Sequence, residues 1–140
     1  PENEMPTSYN HVPFMIYGKS IPTKQYNHFG GQIDVAPTLL GLLGISYTQN
    51  NLGIDLLKEK RPCIFYTADN LIAARDSSRL YIHSPETGQE FKYEVREGKL
   101  RSGTDESHFQ YLKDYCFSML QSTEYLIRKN QATDQPQTKP

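Results

Sequence analysis

Residues 12–17, Val-Pro-Phe-Met-Ile-Tyr, form an unbroken apolar run that stops at Gly18. Six residues are too few for a buried helix, and no polar residue alternates with the apolar ones. The run therefore predicts a strand covered on both faces, the kind found inside a parallel sheet. Pro13 falls near its start, where a missing ladder donor is tolerated. Such a strand needs neighbours, and this chain of 140 residues does not offer the partners a parallel sheet requires. The strand is thus expected to pair with strands that lie outside the chain. The first residues, Pro1-Glu2-Asn3-Glu4, contain neither an initiator Met nor the basic-then-apolar order of a signal peptide. That start adds the expectation that residues precede it.

A polar connection over 19–29 leads to Gly30-Gly31, and residues 32–45 then read as a helix with both ends marked. Asp34 is placed as an N-cap whose carboxylate accepts from the first free backbone donors. Pro37 falls in the first turn, where its missing N–H costs nothing, and Gly44 is placed to close the helix in the left-handed conformation. Gly41, in the interior, weakens a helix by roughly 1 kcal/mol relative to alanine. Its presence predicts another backbone packed closely against it.

Beyond a loop through Asn50-Asn51 and Gly53, the periodicity changes from helical to alternating. Strands are expected over 63–67, 71–75, 79–83 and 90–96. Asp76-Ser77-Ser78, Pro85-Glu86-Thr87-Gly88 and Glu97-Gly98-Lys99 supply turns. A long helix is expected over 107–129, capped by Thr104-Asp105. Its apolar stripe comprises Phe109, Leu112, Cys116, Met119, Leu120, Thr123, Leu126 and Ile127, and Arg128-Lys129 suits its C-terminal end. Polar, Pro-containing residues 131–140 are expected to be disordered.

Chemistry is hard to find in this pattern. Fifteen basic and sixteen acidic residues leave a formal charge of −1, which gives no footprint for nucleic acid. There is no Gly-x-Ser-x-Gly elbow, phosphate-cradling glycine loop or His-Glu-x-x-His helix. Cys63 and Cys116 have no metal-ligand spacing and are expected to be buried thiols rather than a bridge. His28, His83 and His108 sit on separate elements, where solvated or packing roles are expected. His11, set among Ser8, Tyr9 and Asn10 at the strand entrance, is the remaining candidate. The residues alone therefore describe a mixed α/β segment with no catalytic, cofactor-binding or metal-ligating set of its own.

The order Asn10-His11-Val12-Pro13-Phe14-Met15-Ile16-Tyr17-Gly18, then Gly31-Gln32-Ile33-Asp34-Val35-Ala36-Pro37-Thr38-Leu39-Leu40 and Leu43-Gly44-Ile45, resembles the C-terminal part of sulfatase-like proteins of the alkaline-phosphatase superfamily. Asn51-Leu52-Gly53-Ile54-Asp55-Leu56-Leu57 resembles the Gly-x-Asp-Leu stretch that follows this helix in that group. The likeness covers residues 5–57 and is architectural afterwards. Within the group it is closest to bacterial lipoteichoic-acid-synthase and phosphoglycerol-transferase types.

The resemblance implies an α/β (α+β) fragment. Residues 1–57 would end the α/β core with one core strand and a capped helix. Residues 58–130 would form a small antiparallel sheet with a long closing helix, and 131–140 a tail. It also implies that the parent enzyme uses a divalent metal (Mn, Mg, Ca or Zn) to act on a small-molecule or lipid-linked phosphate or sulfate ester. The parent would be an extracytoplasmic, membrane-anchored bacterial protein. The family's nucleophile, acidic ligands and Asp-His pair precede this region. No Asp-His dipeptide and no Cys-x-Pro-x-Arg occur here, so no catalytic role transfers. The likeness places His11 at the border of the active site and makes the rest of the catalytic domain the partner, with self-association of the isolated segment expected. An enzyme of the same fold without membrane helices, and a non-catalytic interaction module, are the alternatives.

Overall fold

Alternation of apolar and polar residues builds most of the fold. In the computed structural model, which describes Met5 and residues 11–129, five strands pair in chain order as one antiparallel sheet. They are β1 (Ile64–Ala68), β2 (Leu71–Arg75), β3 (Arg79–His83), β4 (Glu90–Arg96) and β5 (Lys99–Ser102). The expected strands over 71–75, 79–83 and 90–96 form with those bounds, and the first forms one residue later than expected. β5 was hidden, because its four residues offer a single apolar position, Leu100, between charged neighbours.

The turns follow from the residues in them. Asp69 and Asn70 both take positive φ (50° and 61°), the two-residue left-handed geometry whose twist suits a hairpin. Asp76 closes the next turn by accepting from the backbone N–H of Ser78 (2.8 Å) and Arg79 (2.7 Å).

Each face of the sheet takes a different cover. Phe65, Ile72, Ala74 and Tyr81 face α2 (Glu106–Arg128) and pack with its Phe109, Leu112 and Cys116 and with Cys63. On the opposite face Ala73, Leu80 and Ile82 are fully buried with Met5, flanked by Tyr66, Phe91, Tyr93 and Leu100. β3 is the middle strand, so its Leu80, Tyr81 and Ile82 are all buried. Asp105 caps α2, accepting from Ser107 N–H at 3.0 Å. The buried stripe of α2 ends at Cys116; Tyr125 and Ile127, near its C-terminus, are exposed.

Both cysteines are buried free thiols, as expected. Burial pushes Cys63 up to about 11 and Cys116 up to about 12. The folded protein should therefore resist iodoacetamide at pH 8 and take up two carbamidomethyl groups once unfolded. Rapid labelling of either thiol without denaturant, read by mass spectrometry, would show that α2 lifts from the sheet.

Residues 32–45 depart from expectation at their start. Gln32–Asp34 form a 3₁₀ turn, and the α-helix proper, α1, is Val35–Leu42. Gly44 (φ 65°) closes it as expected, with Ile45 N–H donating to Leu40 C=O at 3.0 Å and Gly44 N–H to Gly41 C=O at 3.2 Å. The close neighbour inferred at Gly41 exists but is a side chain: a Cβ there would collide with the Asp55 carboxylate, not with backbone.

The apolar run is the second correction. Residues 11–17 form no strand; Val12 is 62%, Met15 84% and Tyr17 fully exposed. Among the described residues the antiparallel sheet pairs its five strands without that run. No described helix is long and apolar enough to cross a membrane. The disorder expected of 131–140, like the segment 8–10 beside His11, lies outside the described residues.

Candidate functional site

The densest polar constellation joins the N-terminal third of the chain to the sheet. Asp34, with no exposed surface, makes no side-chain cap to α1. Because the chain enters α1 through a 3₁₀ turn, the carboxylate points elsewhere. Its Oδ2 accepts from Gly31 N–H (2.8 Å) and Arg61 Nε (2.7 Å), and its Oδ1 from Ile54 N–H (2.8 Å) and Arg61 Nη2 (2.6 Å). The guanidinium thus grips the carboxylate with two parallel hydrogen bonds, the strongest geometry such a pair can adopt.

Arg61 also donates to Tyr115 Oη on α2 (3.1 Å) and to Leu52 C=O. One buried ion pair thereby ties together the 3₁₀ turn, the loop 51–56, the entry to β1 and the closing helix. Burial alone would raise the Asp34 carboxyl, but the hydrogen bonds from Arg61, Gly31 and Ile54 outweigh it and hold it below its usual range.

This arrangement explains the Gly53-Ile54-Asp55-Leu56 stretch. A Cβ on Gly53 would strike Ile33 C=O, so only glycine lets the loop approach the 3₁₀ turn this closely. Ile54 N–H reaches Asp34, and Leu56 N–H donates to Thr38 Oγ1 (3.0 Å), whose hydroxyl donates to Asp34 C=O (2.6 Å). The loop is laced to α1 by its own backbone. Chemically the site is closed: both carboxylate oxygens and the guanidinium are engaged, leaving no nucleophile or open position.

The histidines remain apart. His11 is exposed at the start of the apolar run. His28 Nε2 lies 3.0 Å from Leu56 C=O, the His83 ring packs edge-on against Phe117 (centroids 4.9 Å), and His108 sits 3.4 Å from Asp105 on α2's first turn. Among the described residues no three His, Cys, Asp or Glu side chains gather as a metal requires, so these residues do not fit a resident cation. An open hollow of about 400 Å³ beside Arg79, Arg96 and His108 offers no free arginine, because Arg79 is bound to Asp76 (2.6 Å) and Arg96 to Glu94 (2.7 Å).

Acid should loosen the whole unit. Lys113 first, then Lys92, lower Glu90 from 4.5 to about 2. Asp76 is likewise held down by Ser78 and Arg79 against the opposing effect of burial. A carboxylate whose folded pKa lies below its unfolded one adds stability that is complete above the unfolded value. That stability is lost as pH falls through the folded one, roughly 2–3 kcal/mol for a salt-bridged group. The urea midpoint is therefore expected to hold level from pH 7 to about 5 and fall steadily toward pH 2. A midpoint unchanged at pH 3 would mean that these pairs are not formed.

No family model matches the sequence, and no curated protein matches it. The chain does superpose on a solved protein in the alkaline phosphatase superfamily from Vibrio parahaemolyticus, with a TM-score of 0.67 and 21% sequence identity. The match covers 85% of this chain and 29% of that protein. At such identity the likeness is one of fold. The chain thus has the fold of a limited part of an alkaline phosphatase superfamily protein.

Proposed function

We propose that this chain is the C-terminal part of a metal-dependent enzyme that hydrolyses or transfers phosphate or sulfate esters, of the phosphoglycerol-transferase type. The observation that carries this reading is the fold match: most of this chain superposes on under a third of an alkaline phosphatase superfamily protein. The sequence likeness over 10–18, 31–45 and 51–57 supports the finer assignment.

In this reading the chain is scaffold. Its Asp34–Arg61 pair ties the entry to α1 to the start of β1 and to α2, and α1 and the apolar run would face a larger α/β body. The cation and the reacting groups belong to that body, which lies in an extracytoplasmic, membrane-anchored protein. A metal there would neutralise charge on the transferred group. His11, exposed at the start of the run, would border that site.

The test compares the 140-residue chain with the longer protein that contains it, on a chromogenic phosphodiester and a sulfate ester with Mn²⁺ or Mg²⁺. Metal-dependent turnover is expected from the longer protein alone. Turnover by neither would overturn the enzymatic reading in favour of an interaction module.

A further inference from the structure

We infer that the outer edge of β1 pairs with the same edge of a second copy of this chain, antiparallel, about a two-fold axis through Tyr66. The inference is independent of the enzymatic reading, since it uses only the sheet and its open edge.

Because the strands pair in chain order, β1 and β5 are the two edges of the sheet. A free edge is a template for another strand, and soluble proteins block it with charge, proline or a bulge. β5 obeys that rule: its Lys99 and Arg101 are exposed and charged. β1 does not. Its sequence Ile-Phe-Tyr-Thr-Ala holds no charge and no proline, and its register with β2 runs unbroken from Ile64–Arg75 to Ala68–Leu71.

The turn at Asp69-Asn70 fixes which backbone groups are free. In a hairpin closed by two residues the flanking pair, Ala68–Leu71, exchanges both ladder bonds. Alternation gives the same to Tyr66–Ala73 and Ile64–Arg75. Phe65 and Thr67 therefore turn N–H and C=O away from β2. Among the described residues, none of the backbone bonds outside the strands reaches either of them.

Those two residues select the occupant. With Tyr66 opposite Tyr66 of a second copy, Phe65 of each chain faces Thr67 of the other. Each such pair exchanges two N–H···O=C bonds, so every free group on both edges is used and the assembly closes as a dimer. The side chains agree. Phe65 packs with the cluster under α2 and Tyr66 with the cluster on the opposite face, so a strand added here must be apolar on both sides, as β1 itself is. Pairing with β5 of a second copy would instead lay Lys99 and Arg101 along this apolar edge and leave free edges at both ends. A five-residue strand pair is a small interface, so the association is weak and concentration-dependent.

Sedimentation equilibrium of the 140-residue chain, from micromolar to submillimolar concentration, tests it. The mass should rise from monomer toward dimer and stop there. Thr67→Lys places a charge on the edge at an exposed position, so the urea midpoint should hold while the dimer weakens roughly tenfold or more. Arg101→Glu, on the other edge, should leave the dimer unchanged. Hydrogen exchange of the unaltered chain gives a reading free of any variant: the Phe65 and Thr67 amides should be protected when concentrated and open when dilute. A monomer throughout, or a dimer whose Phe65 and Thr67 amides stay open, would overturn the inference. So would a dimer that survives Thr67→Lys but is split by Met15→Asp or Leu43→Asp, since the contact would then lie on the apolar run or beside α1. Mass that grows past the dimer would also overturn it, because the joint would then be β1 against β5.

Discussion

Asp34→Ala is expected to lower the unfolding free energy by about 3–5 kcal/mol, several times the effect of losing a helix cap. The reason is what the substitution leaves behind. Arg61, whose side chain is 7% exposed, keeps its charge but loses both carboxylate contacts, while Gly31 and Ile54 N–H lose their acceptor. An uncompensated charge in a buried site costs more than the pair contributed. Arg61→Ala should cost a similar amount, because it strands the carboxylate and frees Tyr115 Oη. The double variant Asp34→Leu/Arg61→Met should be far less damaged than the sum of the two single losses, since an apolar pair of similar size carries no stranded charge. Its recovery stays incomplete, as the two backbone donors remain without a partner. Urea unfolding followed by far-UV circular dichroism and tyrosine emission reads all of these, for the chain has ten tyrosines and no tryptophan. A loss near 1 kcal/mol for Asp34→Ala would restore the capping role that the sequence suggests. Additive single losses would dissolve the pair as a unit.

That same residue shows where sequence reading succeeds and stops. Asp34 before an apolar helical run is a sound capping signal, and local rules carry no information about Arg61, twenty-seven residues away in Lys-Glu-Lys-Arg-Pro. Only the fold brings the two together. The hairpins, by contrast, were legible because their determinants are local: alternation at Phe91, Tyr93 and Val95, and turn residues at 76–78, 85–88 and 97–99; the Asp69-Asn70 turn went unread. β5 escaped because four residues with one apolar position carry too little pattern. The apolar run at 12–17 reads as a buried strand, whereas in this chain it lies outside any strand with Val12, Met15 and Tyr17 exposed. Function was legible only through likeness. The described residues bring no reactive set together, and the polar network they do form is saturated by its own hydrogen bonds.

Phe109→Ala is expected to cost about 3–5 kcal/mol, since it empties the centre of the core between α2 and the sheet. Phe109 is 1% exposed and packs in one cluster with Ile72, Ala74, Tyr81 and Leu112. Its ring also fills the space over Gly103, where a Cβ would lie 2.5 Å from Cζ and 2.6 Å from Cε2. That contact gives the prediction a second, sharper half. Gly103→Ala alone forces the ring aside and should cost about 1–3 kcal/mol by overpacking. In the Phe109→Ala background the ring is gone, so the added methyl keeps only an ordinary contact with Lys92 C=O at 3.6 Å and partly fills the vacated volume; there Gly103→Ala should be neutral or slightly stabilising. The change of sign across the double-mutant cycle is what a direct contact produces and what a general loosening of the α2 N-terminus does not. Equal effects of Gly103→Ala in the two backgrounds, measured as shifts in urea midpoint at constant slope, would mean that Phe109 does not pack over the end of β5 and that the closing helix is held by other contacts.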